Sequence, residues 1–253
     1  MKKIIAILLA VAMLACFAGC GAKEETDNKL VMATNAEFPP YEYHEGDDIV
    51  GIDAEIAAAI AEKLGMELEI ADVAFDSIIP GVQEGKYDMG MAGMTVTDER
   101  LEKVAFSDTY AKGVQVVIVK EGGDIKSLDD VEGKKVGVQQ GTTGDIYASS
   151  SVEDGGYGEE NVTKYENGAL AVEALKAGKV DCVIIDNEPA KAYVKANEGL
   201  AILDTEYANE DYAICFAKEN TELQKKVNDA LKELIADGSV QKIVDKYINT
   251  DEK

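Results

Sequence analysis

IIPGVQEGKYDMGMAG, residues 78–93, and AVEALKAGKVDCVIID, residues 171–186, are written to one plan. Each has the pattern of a helix, then Gly-Lys-x-Asp, then a strand of small and apolar residues. Asp88 precedes Gly93 by five positions, and Asp181 precedes Asp186 by the same five. The echo puts Gly93 and Asp186 at equivalent strand ends of two similar units. Ligands of open α/β sheets bind outside the carboxyl ends of the strands, so two such units facing one another would place both residues on a shared cleft. Helix–Gly–strand units are also common in unrelated α/β chains, so the weight of the echo depends on its surroundings.

Those surroundings continue the alternation. KLVMAT reads as a strand and NAEFPPYEY as a loop held by Pro39 and Pro40. GIDAEIAAAIAEKLG is an amphipathic helix with Ile56, Ile60 and Leu64 on one face and Gly65 as its stop. ELEIADV, YDMGMAG, VQVVIV, KKVGV, NVTKY and VDCVIID read as strands, and FDSIIPGVQEG, TTGDIYASS, GALAVEALKAG and NEPAKAYVKA as helices between them. DYAICFA reads as one more strand. The chain closes with a helix carrying Leu223, Val227, Leu231 and Leu234 on its apolar face, then a shorter one from Ser239. Strands alternating with helices predict parallel-type α/β sheets.

The first residues point outside the cell. Lys2 and Lys3 precede an apolar run from Ile4 to about Ala18, too short for the ~20 residues of a membrane span but suited to an export signal. FAGC ends the run, and the pattern is that of a bacterial lipoprotein signal over 1–19, with Cys20 lipidated and 20–27 as tether. Cys16 is a second candidate, and an ordinary signal peptide is the plainer alternative. Without residues 1–19, 49 acidic side chains face 23 basic ones, a net charge near −26. That balance excludes nucleic acid as a partner, since phosphate binding rests on basic patches.

Cys182 and Cys215 each lie in an apolar run and read as buried free thiols, with a disulfide as the alternative. His44 is the sole histidine, so Ser–His or Cys–His catalysis has little to build on, and no Cys/His metal pattern exists. Arg100 is the only arginine, against 24 lysines. It is either one more solvated charge or a planar fork clamping a carboxylate with two parallel hydrogen bonds.

TNAEFPPYEY, GIDAEIAAAIAEKLG, FDSIIPGVQEGKYDMGMAGMTVTDER, FSDTY, VGVQQGTTG and VDCVIID occur in the order and at roughly the spacing of a known family. Over residues 28–250 the chain resembles the extracytoplasmic solute-binding proteins of polar amino-acid ABC importers, including the glutamine and lysine/arginine/ornithine binders. Ala54 departs from the larger apolar residue usual there. The resemblance implies a type II periplasmic-binding-protein fold, two α/β lobes joined by two hinge strands and closing on a ligand. Lobe 1 would be 28–111 with 210–253, and lobe 2 would be 112–209.

It also implies roles. Arg100 would grip the ligand α-carboxylate, helped by Thr95 and by N–H groups of Thr142 and Thr143 where QQGTTG opens a helix. Asp186 would pair with the α-ammonium, helped by the Gly93 carbonyl. Phe38 and Phe75 match positions that flank the ligand side chain, with core packing as the alternative for each. Asn35 stands where several relatives carry Asp. Gln139 and Ile185 stand where the glutamine binder has Lys and His, which argues against glutamine. The expected ligand is a polar, preferentially basic L-amino acid, with Glu37 or Glu188 supplying the acidic partner. No cofactor or metal is expected. The expected partners are the permease/ATPase complex and, through the anchor, the membrane; a monomer is expected. A sensor-type binder and a dehydratase-like enzyme are the alternatives.

Overall fold

The computed structural model describes residues 28–204 and 206–248; the leader, Cys16 and Cys20 lie outside the described residues. The chain begins β1 (Lys29–Thr34), β2 (Glu37–Phe38), β3 (Glu42–Glu45), β4 (Asp48–Val50), α1 (Ile52–Leu64), β5 (Glu67–Asp72), α2 (Ile78–Gln83), β6 (Met89–Gly90), α3 (Asp98–Lys103) and β7 (Ala105–Phe106). It continues with β8 (Ala111–Lys120), β9 (Val136–Gln139), α4 (Thr143–Ser149), β10 (Val162–Tyr165), α5 (Gly168–Lys176), β11 (Cys182–Asp186), α6 (Asn187–Ala196) and β12 (Leu200–Ile202). It ends with β13 (Ala208–Tyr212), β14 (Cys215–Phe216), α7 (Thr221–Ala236) and α8 (Ser239–Tyr247).

The echo in the sequence is an echo in topology. One sheet has the order β5-β1-β6-β14-β7 and the other β10-β9-β11-β8-β12. In each, a central strand is flanked by two parallel neighbours, and the next strand outward is antiparallel. β6 and β11, the strands of the two quoted stretches, hold the same place. The sheets are therefore mixed, where the alternation alone predicts parallel ones. The exceptions, β8 and β14, are the strands by which the chain enters each sheet from the other, so they arrive in the opposite direction.

Crossing also explains why DYAICFA is two strands rather than one. Ala208–Tyr212 pairs with Gln115–Ala111 along β8, whereas Cys215 pairs with Gly90 of β6. Between them Ala213 N–H donates to the Met94 carbonyl (3.0 Å) as the chain changes sheets. The loop predicted at NAEFPPYEY instead contributes β2 and β3 to a small antiparallel sheet with β4.

Packing follows the predicted faces. Ile56 and Ile60 of α1 and Val227 and Leu231 of α7 are fully buried and share a core with Leu30 and Met32 of β1. Leu64 and Leu223 pack partly buried at its margin. Gly65 takes the left-handed conformation (φ 67°) and returns its N–H to the carbonyls of Ala61 and Glu62, which ends the helix where a side chain would be strained. Cys182 and Cys215 are free and buried, and burial pushes both thiols up to about 12.

Candidate functional site

The carboxyl ends of the two parallel sets face one cavity. Its lining contains all ten residues predicted to contact a ligand: Asn35, Phe38, Phe75, Gly93, Thr95 and Arg100 from the first-sheet body, and Gln139, Thr142, Thr143 and Asp186 from the second. Glu42 and Ala92 complete it. The three predicted side-chain-pocket residues are not in this lining. Glu37 is exposed, Ile185 is buried in the core, and Glu188 pairs with Lys191 (2.7 Å) on the first turn of α6. His44 is at the surface beside Asp72 (2.9 Å).

The cavity is closed by bonds between the two bodies. Gln139 Nε2 donates to Asn35 Oδ1 (2.8 Å), Gln140 Nε2 to Asp76 Oδ2 (2.6 Å), and Tyr193 Oη to the Glu37 carbonyl (2.7 Å). Enclosure leaves about 10 Å³, the room of roughly one water molecule. An amino acid enters only if these bonds open and the side chains re-form around it.

Arg100 projects from α3, whose N-cap Thr97 accepts the Arg100 backbone N–H (3.2 Å). Arg100 as a whole is 5 % exposed. Its Nη1 donates to the Thr95 carbonyl (2.7 Å), its Nη2 to the Gly141 carbonyl of the opposite body (3.1 Å), and it lies over the Phe75 ring (5.4 Å). Among the described residues no carboxylate lies within ion-pair distance of it. Burial lowers its pKa, with the Glu210 charge opposing that shift. A buried cation held only by neutral carbonyls is costly unless an anion joins it.

Asp186, the last residue of β11, carries the opposite potential. Its Oδ1 accepts from the Tyr212 hydroxyl and its Oδ2 from Gln115 Nε2 (2.8 Å). Burial pushes its carboxyl well above the usual range, and the neighbouring Glu210 adds to this. Thr142 caps α4, accepting from Asp145 N–H (3.3 Å) and donating to the Gln139 carbonyl (2.8 Å). Its own N–H is directed at that same carbonyl (3.4 Å), so the expectation of two free N–H groups here is reduced for Thr142. Gly93 has φ +50°, and a Cβ there would stand 2.9 Å from the Phe38 ring. Its N–H donates to Asp53 Oδ2 (2.8 Å).

Two acidic residues went unnoticed in the sequence. Glu42 lines the cavity, is almost wholly buried, and leans on Asp53 of α1. Burial drives the Glu42 carboxyl well above the usual range, with the Asp53 charge adding to it. Burial also raises Asp53, to about 6, against the pull of the Gly93 N–H. Glu210 of β13 is buried and accepts from Thr95 Oγ1 (3.0 Å) and Gln115 Nε2 (3.1 Å). The local signal for Glu42 is weak: it sits in YEYHEGDD, where it reads as one of several surface acids.

The cavity is lined by one arginine and two buried carboxyls, Asp186 and Glu42, with Glu210 buried behind Thr95 and Gln115. Comparison with known proteins gives the family of the chain. The arginine-binding extracellular protein ArtP of Bacillus subtilis is 35 % identical over 254 residues, covering 98 % of each chain. A solved structure of an ancestral arginine-binding protein bound to arginine is 43 % identical with a TM-score of 0.81, covering 87 % of this chain and 98 % of that one. The arginine-, lysine-, histidine-binding protein ArtJ of Geobacillus stearothermophilus is 35 % identical with a TM-score of 0.82, covering 89 % and 97 %. These relatives are binding proteins, not enzymes. The profile of the bacterial extracellular solute-binding proteins, family 3, matches residues 30–250, and the chain belongs to that family.

Proposed function

We propose that this protein captures a basic L-amino acid, L-arginine first, outside the cell and delivers it to the permease of an ABC importer. The observation that carries this reading is Arg100, a buried guanidinium without an ion-pair partner among the described residues, sharing one cavity with Asp186 and Glu42. Arg100 and the Thr95 and Thr143 groups hold the α-carboxylate. Asp186 holds the α-ammonium, with the Gly93 carbonyl beside it. Asn35 and Gln139 lie along the side chain, and Phe38 and Phe75 flank it. Glu42, rather than Glu37 or Glu188, supplies the acidic partner for a cationic end. The arginine-binding relatives support this assignment of ligand.

Charge-assisted hydrogen bonds contribute roughly 1.5–3 kcal/mol each, and micromolar binding requires about 8 kcal/mol. Three or four such bonds, offset by the ordering of side chains, reach that level. The lobes are taken as 28–111 with 210–253 and 112–209, with closure on the ligand favoured because its two charges meet groups of both. The chain is read as a monomer tethered by lipid at Cys20, a position in keeping with an extracellular family.

Thermal unfolding against the common L-amino acids, ornithine, citrulline and cystine tests the reading. At about 100 times Kd, linkage adds ~2.7 kcal/mol, a shift of several degrees at roughly 2–4 °C per kcal/mol. Shifts confined to arginine, lysine or ornithine are expected. A shift with only uncharged amino acids overturns the basic assignment, and none with any amino acid overturns the function.

A further inference from the structure

Asp53, in the first turn of α1, does not line the cavity, yet it meets two residues that do. It is wholly buried. Its Oδ2 accepts from the Gly93 N–H and from the Tyr110 hydroxyl, each at 2.8 Å. Gly93 is the residue proposed to face the ligand ammonium, and Tyr110 stands just before β8. The second lining residue is Glu42, whose carboxyl is within hydrogen-bond reach of Asp53. The oxygens left over match one another. Glu42 Oε2 and Asp53 Oδ1 are both buried, and neither has a donor among the described residues.

Two carboxyls in contact, out of water and each with an unserved oxygen, are satisfied together by one proton, which turns one acceptor into a donor. A single O–H from Glu42 Oε2 to Asp53 Oδ1 supplies both orphans. The other groups facing Glu42 favour keeping it there. Asp186 at the end of β11 and Asp72 at the end of β5 add negative potential. Tyr41 next to it in the chain, Tyr110 before β8 and Tyr193 of α6 are neutral phenols, each pushed up chiefly by burial. On Asp53 the Gly93 N–H and the Tyr110 hydroxyl favour a negative charge, so the proton lies on the Glu42 side.

We infer that Asp53 is a positioning residue acting through Glu42, which it holds by a shared proton in the ligand-free protein, and that a cationic ligand side chain displaces this proton to solvent. The O–H bond breaks, the proton passes to water or a buffer base, and the ligand cation takes its place beside the ionised Glu42. One positive charge leaves and one arrives, so the net charge at this end of the site is unchanged. A neutral side chain brings no charge to exchange, and the proton stays. Selection for a basic amino acid is then an exchange of cations. The inference rests on the proposed function, in which Glu42 meets the cationic end of the ligand.

Calorimetric titration with L-arginine at pH 7, in two buffers of different ionisation enthalpy, counts the protons released on binding. Wild type is expected to release protons, and Asp53→Asn to release about one fewer per arginine. The amide is isosteric with the acid: its oxygen still accepts from Gly93 and Tyr110, and its N–H donates to Glu42, which is then ionised before the ligand arrives. A purely structural Asp53 changes affinity but not this count. Asp186 meets the ammonium in both proteins, so any proton it gives up cancels in the difference. Where the pair still holds its proton, wild-type affinity is expected to rise with pH by up to about tenfold more per unit than that of the variant. Equal proton counts overturn the inference, and so does a wild type that releases none. Should Asp53→Asn not fold, Glu42→Gln takes its place with the same expected difference, and an equal count there overturns the inference as well. Arginine bound without this difference leaves the proposed function standing; a wild type that binds no basic amino acid ends both.

Discussion

Gln139 Nε2 donates to Asn35 Oδ1 across the cleft at 2.8 Å, joining the end of β9 to the end of β1. The two strands are topological counterparts, each the centre of its parallel set. A single side-chain bond therefore ties equivalent positions of the two bodies directly over the cavity.

Gln139→Leu removes that tie with little change in volume. A net hydrogen bond is worth about 0.5–1.5 kcal/mol, so arginine affinity is expected to fall by roughly two- to tenfold. Small-angle scattering of the ligand-free protein should show a larger radius of gyration. An unchanged radius and affinity would deny the bond any part in closure.

Arg100→Lys should lose at least ~100-fold in affinity, because a point charge cannot reproduce the two-pronged geometry and two charge-assisted bonds are lost. Arg100→Met should abolish binding yet unfold no lower than wild type, since it replaces a buried, unpaired charge by an apolar side chain. Calorimetric titration and thermal melts of both variants check the two halves of the claim.

Gly93→Ala puts a Cβ at 2.9 Å from the Phe38 ring on a backbone with φ +50°. Strain of this kind costs on the order of 1–3 kcal/mol, and Phe38 must move out of the cavity wall. Lower thermal stability together with weaker binding is expected; a neutral result in both would show that the loop relaxes freely.

Glu42 and Asp53 give the ligand-free protein a pH signature. Burial raises both carboxyls, Asp53 to about 6. The folded state then binds protons more tightly than the unfolded state, so this contribution is present at low pH and is lost as pH rises from the ordinary carboxylate range through about 6 and above. Melting temperature should fall between pH 5 and pH 8, and Glu42→Gln should flatten the fall. Ligand binding has the opposite sign, because a cationic side chain favours ionised Glu42; arginine affinity should weaken as pH drops.

Much of this was legible in the sequence for identifiable reasons. The two Gly-Lys-x-Asp units are local patterns, and local patterns survive folding, so β6 and β11 emerged as counterparts. Arg100 was conspicuous because it was the only one of its kind. Glu42 and Glu210 were invisible among 49 acids, since what distinguishes them is burial, and burial depends on which strands meet. The split of DYAICFA was illegible for a similar reason: its residues suit a strand throughout, and the break reflects a change of partner at Ala213. Glu37 and Glu188 show the reverse case: both are acids near the right motif, yet neither lines the cavity, Glu37 being exposed and Glu188 paired with Lys191.

The pairing of β8 with β13 has a kinetic consequence. Gln115, Glu210 and Tyr212 belong to this crossing ribbon, so if the bodies turn about it, as the proposed closure requires, the groups around Asp186 lie close to the axis. Near an axis the lever arm is short. A given rotation displaces Gln115 or Tyr212 little while carrying Gln140 and Tyr193 far from Asp76 and Glu37. On the proposed roles, the ammonium site would then be nearly complete while the bodies are apart, and an arriving ligand would meet it first. On that geometry the rim bonds would form last and break first, so substitutions at Asp76 or Tyr193 should change how long a ligand stays rather than which ligand is chosen.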